Sequence, residues 1–219
     1  MTTLAVLPIK TFDEAKQRLR AELDPTPRRA LVEAMFSDVL IALRRATLVD
    51  QVLVVSADNV AQRIAGGYDA MVVEDEDLGH NQAAVRGAAR ALELGVDRVL
   101  MVPGDCPLLS PTELDELLGR PVPSPSLLVV PDRHGTGTNA LVLTPPDALQ
   151  PAFGPGSHDR HHEHASAAGI HVETVEVPSL ALDIDTPEDL AAVEATLERT
   201  RGGAAHTRGM LRQLLRSRS

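Results

Sequence analysis

Residues 99–108 read Val99-Leu100-Met101-Val102-Pro103-Gly104-Asp105-Cys106-Pro107-Leu108. An unbroken apolar run, a Pro-Gly turn and then a carboxylate is the pattern of a strand buried on both faces that delivers an acid at its carboxyl end. Working outward, similar runs recur at residues 3–9 (TLAVLPI), 52–56 (VLVVS), 70–74, 127–130, 140–143 and 172–177. Between them, residues 13–23, 27–47, 59–65, 81–94, 111–118, 159–168 and 187–199 have helical spacing. Thr26 with Pro27, Ser110 with Pro111 and Thr186 with Pro187 read as cap-and-first-turn pairs, and Gly66-Gly67 and Gly95 as stops. Solid apolar strands separated by helices predict a single-domain α/β fold, with a mostly parallel central sheet flanked by helices.

The chain has 219 residues, which suits one medium domain. That domain is expected over residues 1–200. Residues 199–219 hold six Arg and no acid, so residues 201–219 read as a basic, flexible tail. The Pro/Ser stretch at 121–126 is too short for a domain linker. With three Phe, one Tyr and no Trp, the core must be aliphatic, and aromatic platforms for stacking bases are excluded. The net charge of −10 makes the body a poor ligand for nucleic acid. An anionic small molecule would have to be held locally, by backbone N–H groups, a metal and a few placed cations. The single cysteine, Cys106, excludes an internal disulfide. No apolar run approaches the roughly 18 residues of a membrane span, and the start lacks a basic-then-apolar pattern, so a cytoplasmic protein without membrane contact is expected. There are 19 Arg but two Lys, and Lys10 and Lys16 stand close together, as though an ammonium were wanted there.

In an open α/β sheet, ligands bind beyond the carboxyl ends of the strands. After residues 3–9 come Lys10, Lys16 and Arg18, a set suited to a triphosphate, although an amphipathic helix with exposed cations would look alike. Neither G-x-x-x-x-G-K-[ST] nor G-x-G-x-x-G occurs, which disfavours a P-loop ATPase and a dinucleotide dehydrogenase. After residues 70–74 comes Asp75-Glu76-Asp77-Leu78-Gly79-His80-Asn81. Its acids read as a solvated loop. Gly79 lets a ligand approach the backbone, and the Asn81 amide can read a purine edge or simply cap a helix. Asp105, at the tip of a buried strand, is a candidate Mg²⁺ ligand, since that ion takes one or two carboxylates plus substrate phosphates. Asp183 and Asp185 alternate with apolar neighbours and face one way if extended, so either could complete that site. Helix-dipole complementation is the other reading, better suited to Glu188 and Asp189. Thr138, in a Gly/Thr-rich loop, offers a hydroxyl to a small anion. Gly154-Pro155-Gly156-Ser157 opens a helix and forms a candidate anion site. That helix carries His158, His161, His162 and His164, and the spacing of His158 and His162 also admits a zinc reading. Cys106 has no base beside it in sequence and is assigned no chemistry.

Taken in order, these segments resemble the phospholactate/phosphoenolpyruvate guanylyltransferases of coenzyme F420 biosynthesis. The resemblance rests on Leu7-Pro8-Ile9-Lys10, Ala15-Lys16-Gln17-Arg18-Leu19, Leu78-Gly79-His80-Asn81, Gly104-Asp105-Cys106-Pro107-Leu108, Gly135-Thr136-Gly137-Thr138-Asn139, Phe153-Gly154-Pro155-Gly156-Ser157 with His161, and Asp183-Ile184-Asp185-Thr186-Pro187. It implies a GT-A-like, Rossmann-related nucleotidyltransferase that uses GTP and Mg²⁺. A three-carbon phosphate would attack the α-phosphorus of GTP, and pyrophosphate would leave. By this resemblance Lys16, Arg18 and Asp105 are catalytic, and Lys10, Lys16, Gly79 and Asn81 bind the nucleotide. Thr138, Gly154 and Ser157 bind the acid, and Asp105 holds the metal, with Asp183 or Asp185 as the candidate second ligand from the residue reading above. Phosphoenolpyruvate is the expected acceptor, because the Arg/Ala/Leu-rich composition suggests a GC-rich, actinobacterial member, with 2-phospho-L-lactate as the alternative. The product would pass to the next F420-pathway transferase. Two rivals stay open: another nucleotidyltransferase, directed to a sugar or molybdopterin, and a non-enzymatic metal or nucleotide binder built on the His-rich helix.

Overall fold

The computed structural model describes residues 1–76, 79–200 and 202–217. In chain order the elements are β1 (Thr3–Ile9), α1 (Pro25–Arg45), β2 (Gln51–Ser56), α2 (Asn59–Gly67), β3 (Met71–Glu74), α3 (His80–Glu93), β4 (Arg98–Met101), α4 (Pro111–Leu118), β5 (Ser126–Pro131), β6 (Thr138–Thr144), α5 (Ser157–Ala167), β7 (His171–Thr174), α6 (Pro187–Arg199) and α7 (Ala205–Ser217). The strands form one sheet in the order β3-β2-β1-β4-β6-β5-β7. β1 pairs parallel with β2 and β4, β2 with β3, and β5 with β7. β6 runs antiparallel to both β4 and β5. The α/β architecture expected from the apolar runs is therefore observed.

Successive residues of a strand point to opposite faces. In β1, Ala5, Leu7 and Ile9 pack with Leu31, Met35, Phe36 and Val39 of α1. Leu4 and Val6 pack on the other side with Ala83, Ala84 and Ala88 of α3. All seven residues of β1 are consequently buried, which is why the strand reads as a solid apolar run. The small residues of α3 let it lie close to the sheet, and a Cβ at Gly87 would run into the Val6 side chain.

Three local expectations are corrected. Residues 13–23 do not form one helix. Two 3-10 turns, Phe12–Glu14 and Gln17–Ala21, flank Lys16, whose left-handed backbone (φ 55°, ψ 41°) interrupts any helix at that point. α1 starts at Pro25, after Asp24, so Thr26 lies inside the helix and is not its cap. Within the stretch 201–219 expected to be a flexible tail, Ala205–Ser217 form α7, which packs against the body. Leu211 and Thr207 are buried, and Asp38 of α1 accepts hydrogen bonds from the backbone N–H groups of His206 (3.1 Å) and Thr207 (2.7 Å). The caps at Ser110 and Thr186 are present as expected, Thr186 within a reciprocal capping box with Asp189.

Candidate active site

The topology decides where the site lies. β1 and β4 are parallel neighbours, so their carboxyl ends reach one edge of the sheet. β6 runs the opposite way beside β4, which brings its first residues, Thr138 and Asn139, to that same edge. A cleft of about 760 Å³ opens there, between the strand ends and α5. Lys10, Lys16, Arg18, Asp105, Thr138, Gly154, Ser157, Asp183 and Asp185 all line it, although they come from five separate stretches of sequence.

At the seam of the cleft the Lys16 ammonium lies between two carboxylates. It is paired with Asp105 through a short contact and with Asp185 Oδ1 at 2.7 Å. Burial by itself would lower the Lys16 pKa, but the charges of Asp105 and Asp185 outweigh it and hold the pKa above the ordinary lysine value. Burial, together with the charges of Asp105 and Asp185, raises the Asp183 carboxyl above its usual range. Asn139 donates from Nδ2 to Leu180 O (2.6 Å) and to Asp183 Oδ1 (3.3 Å), and the backbone N–H of Ile184 donates to Asp105 O (3.3 Å). These bonds stitch the 180–185 loop to the tip of β4. Asp105 Oδ1 is buried and has no hydrogen-bond partner. Among the described residues no three His, Cys, Asp or Glu side chains converge on one metal-sized point. Asp105, Asp183 and Asp185 thus share a cleft without forming a ready three-ligand cage.

The opposite wall is built around residues 152–157. The Ala152 carbonyl accepts from Arg160 Nε (3.1 Å) and Nη2 (3.0 Å), and the Ala152 N–H donates to His161 Nε2 (3.0 Å). The Phe153 N–H donates to Asn81 Oδ1 (2.7 Å), and Asn81 Nδ2 donates back to Phe153 O (3.1 Å). The next residue, Gly154, has φ 120°, a conformation an L side chain rarely adopts. In the first turn of α5, the N–H of Ser157 goes to Gly154 O and that of His158 to Thr136 O, so these two donors are already spent. The Ser157 hydroxyl is buried without a partner.

A family model described as guanylyl transferase CofC like matches residues 3–217. The chain belongs to this family. It is 54% identical over 219 residues to the phosphoenolpyruvate guanylyltransferase of Conexibacter woesei, covering 99% of this chain and 98% of that one. It is 34% identical over 214 residues to the 2-phospho-L-lactate guanylyltransferase of Methanothermobacter thermautotrophicus, covering 98% and 92%. The solved structure of a nucleotidyl transferase from Methanothermobacter thermautotrophicus superposes with a TM-score of 0.71 at 19% identity, over 91% of this chain and 99% of that one. The nucleotidyltransferase fold and the guanylyltransferase family implied by the sequence motifs are therefore established.

Within this CofC-like framework, two of the residues expected to bind the nucleotide, Gly79 and Asn81, are not among the residues that line the cleft. The Asn81 amide bonds the Phe153 backbone from both ends, using one of its two N–H donors and one of the two acceptor positions of its oxygen. Gly79, with φ 100°, starts α3, but its neighbour His80 is the residue that lines the cleft. Of the acidic loop before it, Asp77 and Leu78 lie outside the described residues. The His-rich helix divides. His158 and His162 meet on the outside, each within 2.9 Å of Thr174 Oγ1, while His161 alone of the two pairs turns inward and is fully buried. Burial, helped by the Arg160 charge, lowers the His161 pKa to about 4. His80 is lowered by burial too, with Asp105 opposing and Lys10 assisting the shift. Cys106 is buried, its thiol pKa is pushed up by burial, and it faces Leu180 O, in keeping with no chemistry. Sequence reasoning missed Asn139 and Arg160 as supports. Asn139 directly follows Thr138, and Arg160 directly precedes His161, but their partners are loop carbonyls and an acid elsewhere in the chain. Among the described residues no helix is long and apolar enough to cross a membrane.

Proposed function

We propose that this chain transfers a guanylyl group from GTP to the phosphate of phosphoenolpyruvate, with 2-phospho-L-lactate as the alternative acceptor, and releases pyrophosphate. One observation carries the reading. Three carboxylates share a cleft with a single buried ammonium, and Thr138 and Ser157 line the same cleft. Phosphoenolpyruvate is placed first because the relative at 54% identity carries that substrate in its name.

Both reactants are anions, so like-charge repulsion dominates the barrier, and catalysis is positioning plus electrostatics. Lys10 and Arg18 at the mouth and Lys16 at the seam face the triphosphate and take up charge as pyrophosphate departs. Thr138 and Ser157 orient the acid. The acceptor phosphate is already ionised, so no side-chain nucleophile or base is required. Asp105 has an unpartnered buried oxygen, and two acids stand close enough to repel it, which suits a divalent ion held by two carboxylates and substrate oxygens. Asp105 with Asp183 or Asp185 would hold Mg²⁺. When bound, that ion supplies positive charge between the two phosphate groups. The product would go to the next transferase of F420 assembly, a step supported by the family resemblance alone.

The test supplies GTP and Mg²⁺ with phosphoenolpyruvate, 2-phospho-L-lactate or 3-phosphoglycerate and measures pyrophosphate. Release is expected with phosphoenolpyruvate foremost, and no release with any of the three defeats the reading. Asp105→Ala should abolish metal-dependent turnover while the thermal melt stays near the wild-type value. Full activity in that variant removes Asp105 from the reaction.

A further inference from the structure

We infer that His161 is a positioning residue of the acceptor wall: as the Nδ1-protonated tautomer it donates to Thr138 Oγ1, and this turns the Thr138 hydroxyl proton into the cleft as a fixed donor to the acceptor's anionic group. The inference rests on the proposed reading of Thr138 as an acceptor ligand.

The run of hydrogen bonds begins at a peptide group that has no choice. A backbone N–H can only donate, so at 3.0 Å from the Ala152 N–H the His161 Nε2 must accept. A neutral imidazole carries one proton, which leaves it on Nδ1. That nitrogen lies 3.1 Å from Thr138 Oγ1, so the hydroxyl oxygen accepts. The hydroxyl proton must then point elsewhere, and among the described residues no acceptor takes it. Thr138 lines the cleft, so the open direction is toward the ligand.

The surroundings keep the ring from choosing otherwise. His161 is 0% exposed. Phe153 packs edge-on against it at 5.6 Å, and His80 packs edge-on against Phe153 at 5.0 Å. Ala152 is also held through its carbonyl by Arg160, and the N–H of the following residue is held by Asn81. A protonated ring would set two donors against each other at Ala152, and the depressed pKa of His161 agrees with a neutral ring. A threonine hydroxyl otherwise rotates freely between donor and acceptor roles. Here the choice is made in advance, which spares the ordering cost when an anion binds. Ser157, whose buried hydroxyl has no partner, lines the same cleft.

The test has a spectroscopic arm and a kinetic arm. Long-range ¹H–¹⁵N correlation spectra of the full chain, with ¹⁵N-labelled histidine at pH 7, report the tautomer, and His161→Gln assigns the ring by its absence. An Nδ1-protonated ring is expected, whereas an Nε2-protonated or charged ring overturns the inference whatever the variants do. In the kinetic arm, glutamine can still accept from the Ala152 N–H but cannot reach Thr138 with a donor. His161→Gln should raise the KM for phosphoenolpyruvate about tenfold and leave the KM for GTP within about twofold. Thr138→Val should do the same, and the double variant should be no worse than Thr138→Val alone, since His161 acts through Thr138. A further loss in the double variant, or an equal rise in both KM values, marks His161 as merely structural and overturns the inference. If Thr138→Val leaves the acceptor KM unchanged while the tautomer is as expected, the fault lies in the reading of Thr138, and the inference falls with it.

Discussion

A buried histidine makes stability depend on pH in a direction that can be worked out from its environment. The folded pKa of His161 is about 4, against 6.5 for a free imidazole. Between those values the unfolded chain binds a proton that the folded chain refuses. Stability from this residue is therefore complete above pH 6.5 and is lost as the pH falls toward 4, by an amount on the order of 3 kcal/mol. Urea titrations of the wild type and His161→Gln at pH 7 and pH 4.5 isolate it. The wild type should lose about 2 kcal/mol more than the variant over that interval, and parallel losses would contradict the buried neutral ring. The same scale shows which site residues were legible. Asp105 announced itself because a carboxylate after four apolar residues has few structural reasons to be there. The role of Asn81 did not, because its partner is the peptide of Phe153, and no local pattern distinguishes an amide that reads a ligand from one that clamps a loop. His161 was hidden by its three histidine neighbours, two of which lie on the exposed side of α5.

The central strands were legible because they carry their burial in their own composition, and β1 and β4 are buried along their whole length. The two misread segments share a cause, which is that their conformation is set by distant carboxylates. Lys16 holds a left-handed backbone with its ammonium between Asp105 and Asp185, so residues 13–23 break into two turns despite helical spacing. α7 was obscured by its arginines, and the group that caps it, Asp38, comes from α1. That cap makes a prediction. Asp38 is 5% exposed, and its carboxylate satisfies two N–H groups at the start of α7. Replacing it with Ala should cost about 2 kcal/mol, at the upper end for a lost cap because the site is buried. Asp38→Asn, which retains one acceptor, should fall between the two. Urea unfolding gives the magnitude, and amide hydrogen exchange gives the place, with faster exchange across Ala205–Ser217 ahead of the rest of the chain. Unchanged protection there would mean that α7 is held by its apolar face alone, through Leu211 and its neighbours.

The arrangement of the whole molecule divides the cleft in two. The parallel strands β1 and β4 bring Lys10, Lys16, Arg18 and Asp105 to one side, and the reversed strand β6 with α5 brings Thr138 and Ser157 to the other. This division was not legible in the sequence, because nothing in residues 138–144 says that the strand is inserted antiparallel beside β4. It has an energetic consequence. Arg18 and Ser157 lie on different walls and share no hydrogen-bond partner, so their contributions to guanylyl transfer should be independent. Lys16 and Asp105 meet at the seam in one ion pair, so removing either changes the surroundings of the other, with Asp185 left as the remaining carboxylate on Lys16. Two double-mutant cycles on kcat/KM compare these cases. Arg18→Ala with Ser157→Ala should be additive within about 0.5 kcal/mol, with Arg18→Ala acting on the KM for GTP and Ser157→Ala on the KM for the acceptor. Lys16→Met with Asp105→Asn should depart from additivity by more than about 1 kcal/mol, the double variant being less impaired than the sum of the singles. Additivity at the seam would mean that the Lys16–Asp105 pair is not maintained when the substrates are bound, and coupling between Arg18 and Ser157 would mean that the two walls move as one.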